Sequence, residues 1–208
     1  SRLIMGTSYT IGSSLLVVLA VALIGGTLGI VAGMLKGLKA RFVGHIFDAF
    51  LSLPILLIAI VISTLMEPSL LNAMFATLLA ILPYFIHAIY RAIQQELKKD
   101  YVLMLKLEGI SNWELLKSTI LPNITVIYVQ EIARAFVVAI LDISALSFIS
   151  LGAQRPTPEW GAMIRDSLEL LYLAPWTVLL PGFAIIFTIL LSIIFSNGLT
   201  KAINQYYE

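Results

Sequence analysis

The chain has no cysteine in 208 residues. That excludes disulfide frameworks, thiol catalysis and cysteine zinc sites. Its two histidines, His45 and His87, stand 42 residues apart, so no histidine-rich metal site is expected. Charge is scarce: 12% of residues are Asp, Glu, Lys or Arg, about half the share in a soluble domain. A net charge of +1 excludes a strongly basic nucleic-acid binder and an acidic tail protein. No Gly-x4-Gly-Lys-[Ser/Thr] phosphate loop, Gly-x-Ser-x-Gly or His-Glu-x-x-His pattern occurs, which argues against nucleotide binding and hydrolase chemistry in this chain. What is abundant is apolar: 60% of residues, with a mean hydropathy of +0.98. The composition predicts an integral membrane protein, and the length and number of its apolar runs favour an all-α one over buried strands.

The charges are bunched, and the gaps between them predict the spans. Uncharged stretches run for 33 residues between Arg2 and Lys36, 18 between Asp48 and Glu67, 23 between Glu67 and Arg91, and 31 between Glu169 and Lys201. A bilayer-spanning helix needs about 20 mainly apolar residues. Spans are therefore expected near Thr10–Leu35, Ile46–Met66, Leu70–Tyr90 and Pro175–Leu199. A fifth, Asn123–Phe148, is apolar but carries Glu131, Arg134 and Asp142. With five spans, nine basic residues fall on one side: Lys36, Lys39, Arg41, Arg91, Lys98, Lys99, Lys106, Lys117 and Lys201. Only Arg2, Arg155 and Arg165 fall on the other. The positive-inside rule then places residues 36–45, 91–121 and the C-terminus in the cytoplasm. The chain opens Ser-Arg-Leu-Ile-Met-Gly without an initiator Met, and reads as a fragment that lacks an upstream span.

Residues 91–121 are unlike a loop, with one glycine and no proline before Pro122. Arg91–Asp100 continues the preceding helix into water. Tyr101, Met104, Leu105 and Glu108 then lie at helical spacing, and Gly109 breaks the run. Ser111 can cap a second helix, with Glu114 three residues on as a capping box. Trp113, Leu116 and Ile120 form its apolar stripe, and Pro122 opens the next span, where a missing N–H costs little. The pattern is a helix, a glycine turn and a helix on one membrane face. It suits either docking of another protein or an amphipathic connector resting on headgroups.

Glu131 and Arg134 are three residues apart, so one helix face holds both as a pair. Intramembrane charges are costly and normally face the bundle interior or water, which makes Glu131, Arg134 and Asp142 candidates for a translocation pathway. The competing reading is a structural pair that locks helices. Asp142 is expected near the outer face, attracting a cationic cargo or capping a neighbouring helix. An interfacial salt bridge is expected for Asp48 beside Arg41 and His45, and an interfacial position for His87. Residues 155–161 are too proline-rich for a helix, and a short surface helix is expected to follow. Trp160 and Trp176 read as interface-belt aromatics.

These stretches resemble a known family. Tyr101-Val-Leu-Met-Leu-Lys-Leu-Glu-Gly109, nine residues, then Thr119-Ile-Leu-Pro122 is similar to the coupling motif of ABC importer permeases. Gly109, Leu121 and Pro122 match; Leu103, Met104 and Leu105 replace Glu-Ala-Ala, and Thr119 replaces Ile. Leu151 to Met163 resembles the external segment of the dipeptide/oligopeptide/nickel subfamily, and Asp142 with Ala145-Leu-Ser-Phe148 resembles the end of its preceding span. The resemblance covers the whole chain. It implies a type I permease fold of six spans, of which this chain, residues 1–208, holds the last five as a single transmembrane domain. It also implies a second permease subunit, two cytoplasmic ATPase subunits that bind ATP and Mg, and a periplasmic solute-binding protein, with no cofactor in this chain. Tyr101, Leu105, Glu108, Gly109, Leu116 and Pro122 would carry ATPase docking. Pro156, Pro158, Glu159 and Trp160, in residues 150–173, would form an external gate. The cargo would be peptides or small cationic solutes. The alternative is an ion-coupled carrier or channel that uses Glu131, Arg134 and Asp142.

Overall fold

A computed structural model describes residues 2–35 and 51–207. Residues 36–50 lie outside the described residues, and with them Asp48, Arg41 and His45 and the first five residues of the Ile46–Met66 span. All regular structure among the described residues is helical: α1 Arg2–Gly33, α2 Ile55–Thr64, α3 Leu70–Glu96, α4 Asp100–Leu107, α5 Asn112–Phe148, α6 Trp160–Ser167 and α7 Trp176–Tyr207. Four of these, α1, α3, α5 and α7, are long and apolar enough to cross a membrane. Helix α2 has 10 residues, about 15 Å of rise, half of what a bilayer crossing needs; it is the helical part of the second expected span among the described residues, and residues 51–54 before it are not helical.

Several helix ends differ from expectation for local reasons. Helix α1 starts at Arg2 rather than Thr10. The polar residues of its first turns satisfy themselves within the helix: the Thr7 hydroxyl donates to the Leu3 carbonyl at 3.4 Å and the Ser8 hydroxyl to that of Met5 at 2.7 Å. Helix α3 ends at Glu96, four residues short of the predicted extension, and a turn at Leu97–Lys99 leads to α4. Helix α5 does not begin at Pro122. It runs unbroken from Asn112 through a π-helical stretch at Leu116–Ile120. A proline at 122 cannot donate to the carbonyl of Ser118 and its ring crowds that group; a widened turn just before it relieves the conflict.

The bundle packs without the driving force that operates in water, because hydrocarbon is as apolar as the side chains. Close approach of small residues does the work. An added Cβ at Gly29 would lie 2.8 Å from Ile89 Cβ, and one at Gly33 would lie 2.8 Å from Ile93 Cβ. A glycine row of α1 thus lies directly on α3. Ala59 of α2 with Ala73 and Ala80 of α3 meets Leu146 of α5 in a second seam. The main core joins Val17 and Val21 of α1, Phe85, Ile89 and Ile93 of α3, and Ala135, Ala139 and Ile143 of α5. Tyr128 of α5 donates to the Ala22 carbonyl at 2.8 Å, beside the π-helical stretch Val21–Gly25 of α1. Helix α7 packs on α5 and α6 and leaves Phe183, Phe187, Ile194 and Phe195 exposed, as suits a hydrocarbon surroundings.

The ends alternate as five spans require. Gln94 near the end of α3 donates to the carbonyls of Gly33 and Leu35, at 2.7 and 3.0 Å, so α1 and α3 finish at one end. At the opposite end, Thr10 near the start of α1 meets Glu159 beyond α5.

Candidate functional site

Three regions position the candidate residues. The first is the segment from α4 to the start of α5, at the end rich in lysine. Its core is shared with the bundle: Val102, Leu115 and Ile120 are buried in the same cluster as Phe85 and Ile89. This segment is therefore fastened to the bundle. The turn between its helices is built as expected. Gly109 has φ +90, a left-handed conformation that favours glycine. A Cβ there would meet nothing within 4 Å, so substitution strains the backbone without a clash. The Ser111 hydroxyl accepts from the Glu114 N–H at 3.2 Å.

The buried stripe differs from the expected one. Leu115, not Trp113, turns inward; Trp113 is 73% exposed. Leu105 and Leu116 pack against the core, and Pro122 is half-buried at the wide turn. Tyr101 sends its hydroxyl to the Glu96 carboxylate. Glu108 and Gly109 are exposed. The outward face consists of Leu103, Met104, Leu107 at 89% exposure, and Trp113; spacing had singled out Met104 and Trp113 but not Leu103 or Leu107. A row of exposed apolar side chains on helices anchored from behind is a surface suited to a partner protein.

The second region is at midspan. Arg134 Nη1 donates to Glu131 Oε1 at 2.8 Å, the predicted i,i+3 pair. The Glu131 side chain is 13% exposed and that of Arg134 is 70% exposed. A cavity of about 270 Å³ between α3 and α5 is lined by both, with Tyr84, His87 and Arg91. His87 is therefore buried on a cavity wall. Tyr84, His87 and Arg91 follow one another at spacings of three and four, a single face of α3; that spacing was the available signal. Arg134 also reaches a second cavity of about 430 Å³, with Gln130, Ser196 and Asn197. Asp142 stands apart. It is 5% exposed, its Oδ2 has no partner among the described residues, and it does not line the Glu131–Arg134 cavity. The structure brings Glu131 and Arg134 together and leaves Asp142 elsewhere in the helix packing.

The third region is the opposite end. Glu159 is fully buried and caps α6: Oε2 accepts from the Ala162 N–H at 2.9 Å. Its Oε1 accepts from Thr10 of α1 at 3.1 Å and Ser144 of α5 at 2.9 Å. The Thr10 hydroxyl in turn accepts from the Trp160 N–H at 3.1 Å. Trp160, at 3% exposure, donates its indole N–H to the Leu3 carbonyl, so it is a buried anchor and not a belt aromatic. Trp176 is 58% exposed, consistent with a belt position. Of the four residues expected at an external gate, Pro158, Glu159 and Trp160 are buried within this subunit and Pro156 is exposed. Thr10 and Ser144 were not foreseen. Arg155 and Arg165 both reach Asp166, at 2.8 and 3.1 Å. Burial raises the Asp166 carboxyl, but the two guanidinium bonds and charges outweigh it and hold it below the usual carboxylate range.

Several long apolar helices, a charged crevice at midspan and an anchored row of exposed apolar side chains at one end describe a multi-pass membrane subunit. The family described as binding-protein-dependent transport system inner membrane component matches residues 25–207. Peptide transport system permease protein SapC of Haemophilus influenzae is 88% identical over 208 residues, all of this chain and 70% of that protein. SapC of Salmonella typhimurium is 48% identical over 203 residues, 98% of this chain and 69% of that protein. Di/tripeptide transport system permease protein DppC of Pseudomonas aeruginosa is 34% identical over 206 residues, 98% of this chain and 67% of that protein. In fold, a chain of the MetNI methionine ABC transporter in an inward-facing conformation aligns at TM-score 0.80 and 12% identity, covering 97% of this chain and 96% of that one. The chain belongs to the binding-protein-dependent transport system inner membrane component family, and its fold is that of a type I importer permease.

Proposed function

We propose that this permease subunit carries peptides across the bacterial inner membrane, driven by separate ATPase subunits that dock on residues 101–121. The observation that carries the reading is the exposed row Leu103, Met104, Leu107 and Trp113 on helices whose other face is packed into the bundle. Peptide cargo is supported by the 88% identical relative, itself named a peptide transport permease. ATP and Mg bind on the partner ATPases, since the chain has no phosphate loop. The docking face and the C-terminus lie in the cytoplasm, by the nine-to-three division of basic residues. A second permease subunit completes the pathway. Glu131 and Arg134 face it at midspan, because a largely exposed guanidinium is too costly in hydrocarbon. A periplasmic binding protein delivers cargo at the opposite end, where residues 150–173 form the outer segment. Asp142 supports helix packing in this reading. An ion-coupled carrier is not favoured, because Asp142 is separate from the Glu131–Arg134 cavity.

The test is co-purification. The tagged chain with its partner permease brings down the ATPase subunits. Leu107→Glu places a carboxylate on the docking face and lowers ATPase recovery by about tenfold or more, with membrane insertion unchanged. ATPase recovery that is the same for wild type, Leu107→Glu and Trp113→Glu contradicts the docking face.

A further inference from the structure

A polar bridge crosses the base of the docking segment. Tyr101, in the first turn of α4, donates its hydroxyl to Oε1 of Glu96, the last residue of α3. Asn123 of α5 donates to the same Tyr101 oxygen at 3.2 Å and to the Thr119 carbonyl at 2.8 Å. Lys99, in the turn between α3 and α4, holds the other Glu96 oxygen at 2.7 Å. Glu96 is 5% exposed, so both of its bonds are partly shielded from water. One phenol oxygen therefore ties three elements together: the end of α3, the start of α4 and the beginning of the membrane part of α5.

Helix α4 also meets the bundle through apolar contacts of Val102 and Leu105. Apolar contact is non-directional and tolerates sliding and rotation. A hydrogen bond to a carboxylate is directional and about twice as strong as a neutral one. Burial, with the bond to and charge of Glu96, pushes the Tyr101 hydroxyl up to about 12. It stays protonated, and so remains a donor, throughout the physiological range. Helices α3 and α5 also supply most of the lining of the Glu131–Arg134 cavity, with Leu51 and, from α2, Ile55 completing it.

We propose that Tyr101 is a positioning residue for transport. Its bonds to Glu96 and Asn123 lock the docking segment to α3 and α5, so that ATPase movement reaches the cavity-lining helices and is not absorbed in the turn Leu97–Lys99. This rests on the docking reading above. It assigns Tyr101 to transmission and not to the docking face itself.

The test uses the full complex of both permease subunits, ATPases and binding protein in proteoliposomes, with labelled peptide as the probe. Tyr101→Phe keeps the ring and its packing but removes the hydroxyl. The expected result is unchanged ATPase recovery, continued ATP hydrolysis, and peptide imported per ATP reduced by about tenfold, the scale of one charge-assisted bond. Asn123→Leu removes the second bond independently and lowers the same ratio. Glu96→Gln keeps an acceptor for the hydroxyl and retains most of it. An unchanged ratio in Tyr101→Phe overturns the proposal. Loss of ATPase recovery in Tyr101→Phe also overturns it, by making Tyr101 a docking residue. A wild-type complex that recovers no ATPase refutes the docking reading itself, and the proposal with it.

Discussion

Removing the Glu159 carboxylate should loosen the end of the bundle opposite the docking segment. Glu159 is fully buried and accepts three bonds, from Thr10, Ser144 and the Ala162 N–H. Glu159→Ala deletes the cap of α6, at about 1 kcal/mol. It also leaves up to three donors without their acceptor, at about 1–3 kcal/mol for each that stays unsatisfied. The two hydroxyls have an escape, since each can rotate toward a carbonyl of its own helix. The cap and the Ala162 N–H bond are one interaction, so the net cost is about 1–3 kcal/mol. For a chain of this length that corresponds to a melting temperature lower by about 5 °C. Glu159→Gln keeps one acceptor oxygen and presents an amide that both hydroxyls can accept from, so it should cost about 1 kcal/mol. Thr10→Val removes a donor to Glu159 and the acceptor of the Trp160 N–H. Combined with Glu159→Ala it should cost less than the sum of the single changes, because both act on one network. The assay is thermal unfolding of the detergent-purified chain. A Glu159→Ala melting temperature within about 1 °C of wild type would refute the account of this cluster.

Two further outcomes follow from packing and charge. Gly29→Ala puts a Cβ 2.8 Å from Ile89 Cβ and should destabilise the α1–α3 contact by about 1–3 kcal/mol, whereas Gly12→Ala, where nothing lies within 4 Å, should raise the melting temperature slightly through helix propensity. Asp166 has a folded-state carboxyl below its ordinary value of 3.8, so its contribution is present above that pH and is lost as pH falls through the lowered value. Limited proteolysis of residues 150–173 should accelerate in acid below about pH 4, and Asp166→Asn should be equally sensitive at both pH values.

The spans were readable because charge is excluded from hydrocarbon, so gaps between charges mark helices directly. Gly109 and Ser111 were readable because turn and cap chemistry is local, and the Glu131–Arg134 pair because helical spacing is local. The buried face of the docking segment was not. Both of its faces are apolar, one against the bundle and one outward, and periodicity cannot say which is which; Trp113 outward and Leu115 inward was decided by tertiary contact. Glu159 stands in a proline-rich stretch and was expected at an external gate, not at a buried cap. Its partner Thr10 is 149 residues away in sequence, and no spacing rule connects them. Tyr101 was legible as important but not for its direction: its hydroxyl points back to Glu96.

The central claim is that this chain moves peptide only when ATPases act on its docking face. The most direct measurement is uptake of labelled peptide into proteoliposomes that hold the complete complex, with and without ATP. Uptake that requires ATP and fails with Leu107→Glu is the predicted result. Peptide transport by the purified chain alone, down an ion gradient and without nucleotide, would contradict it.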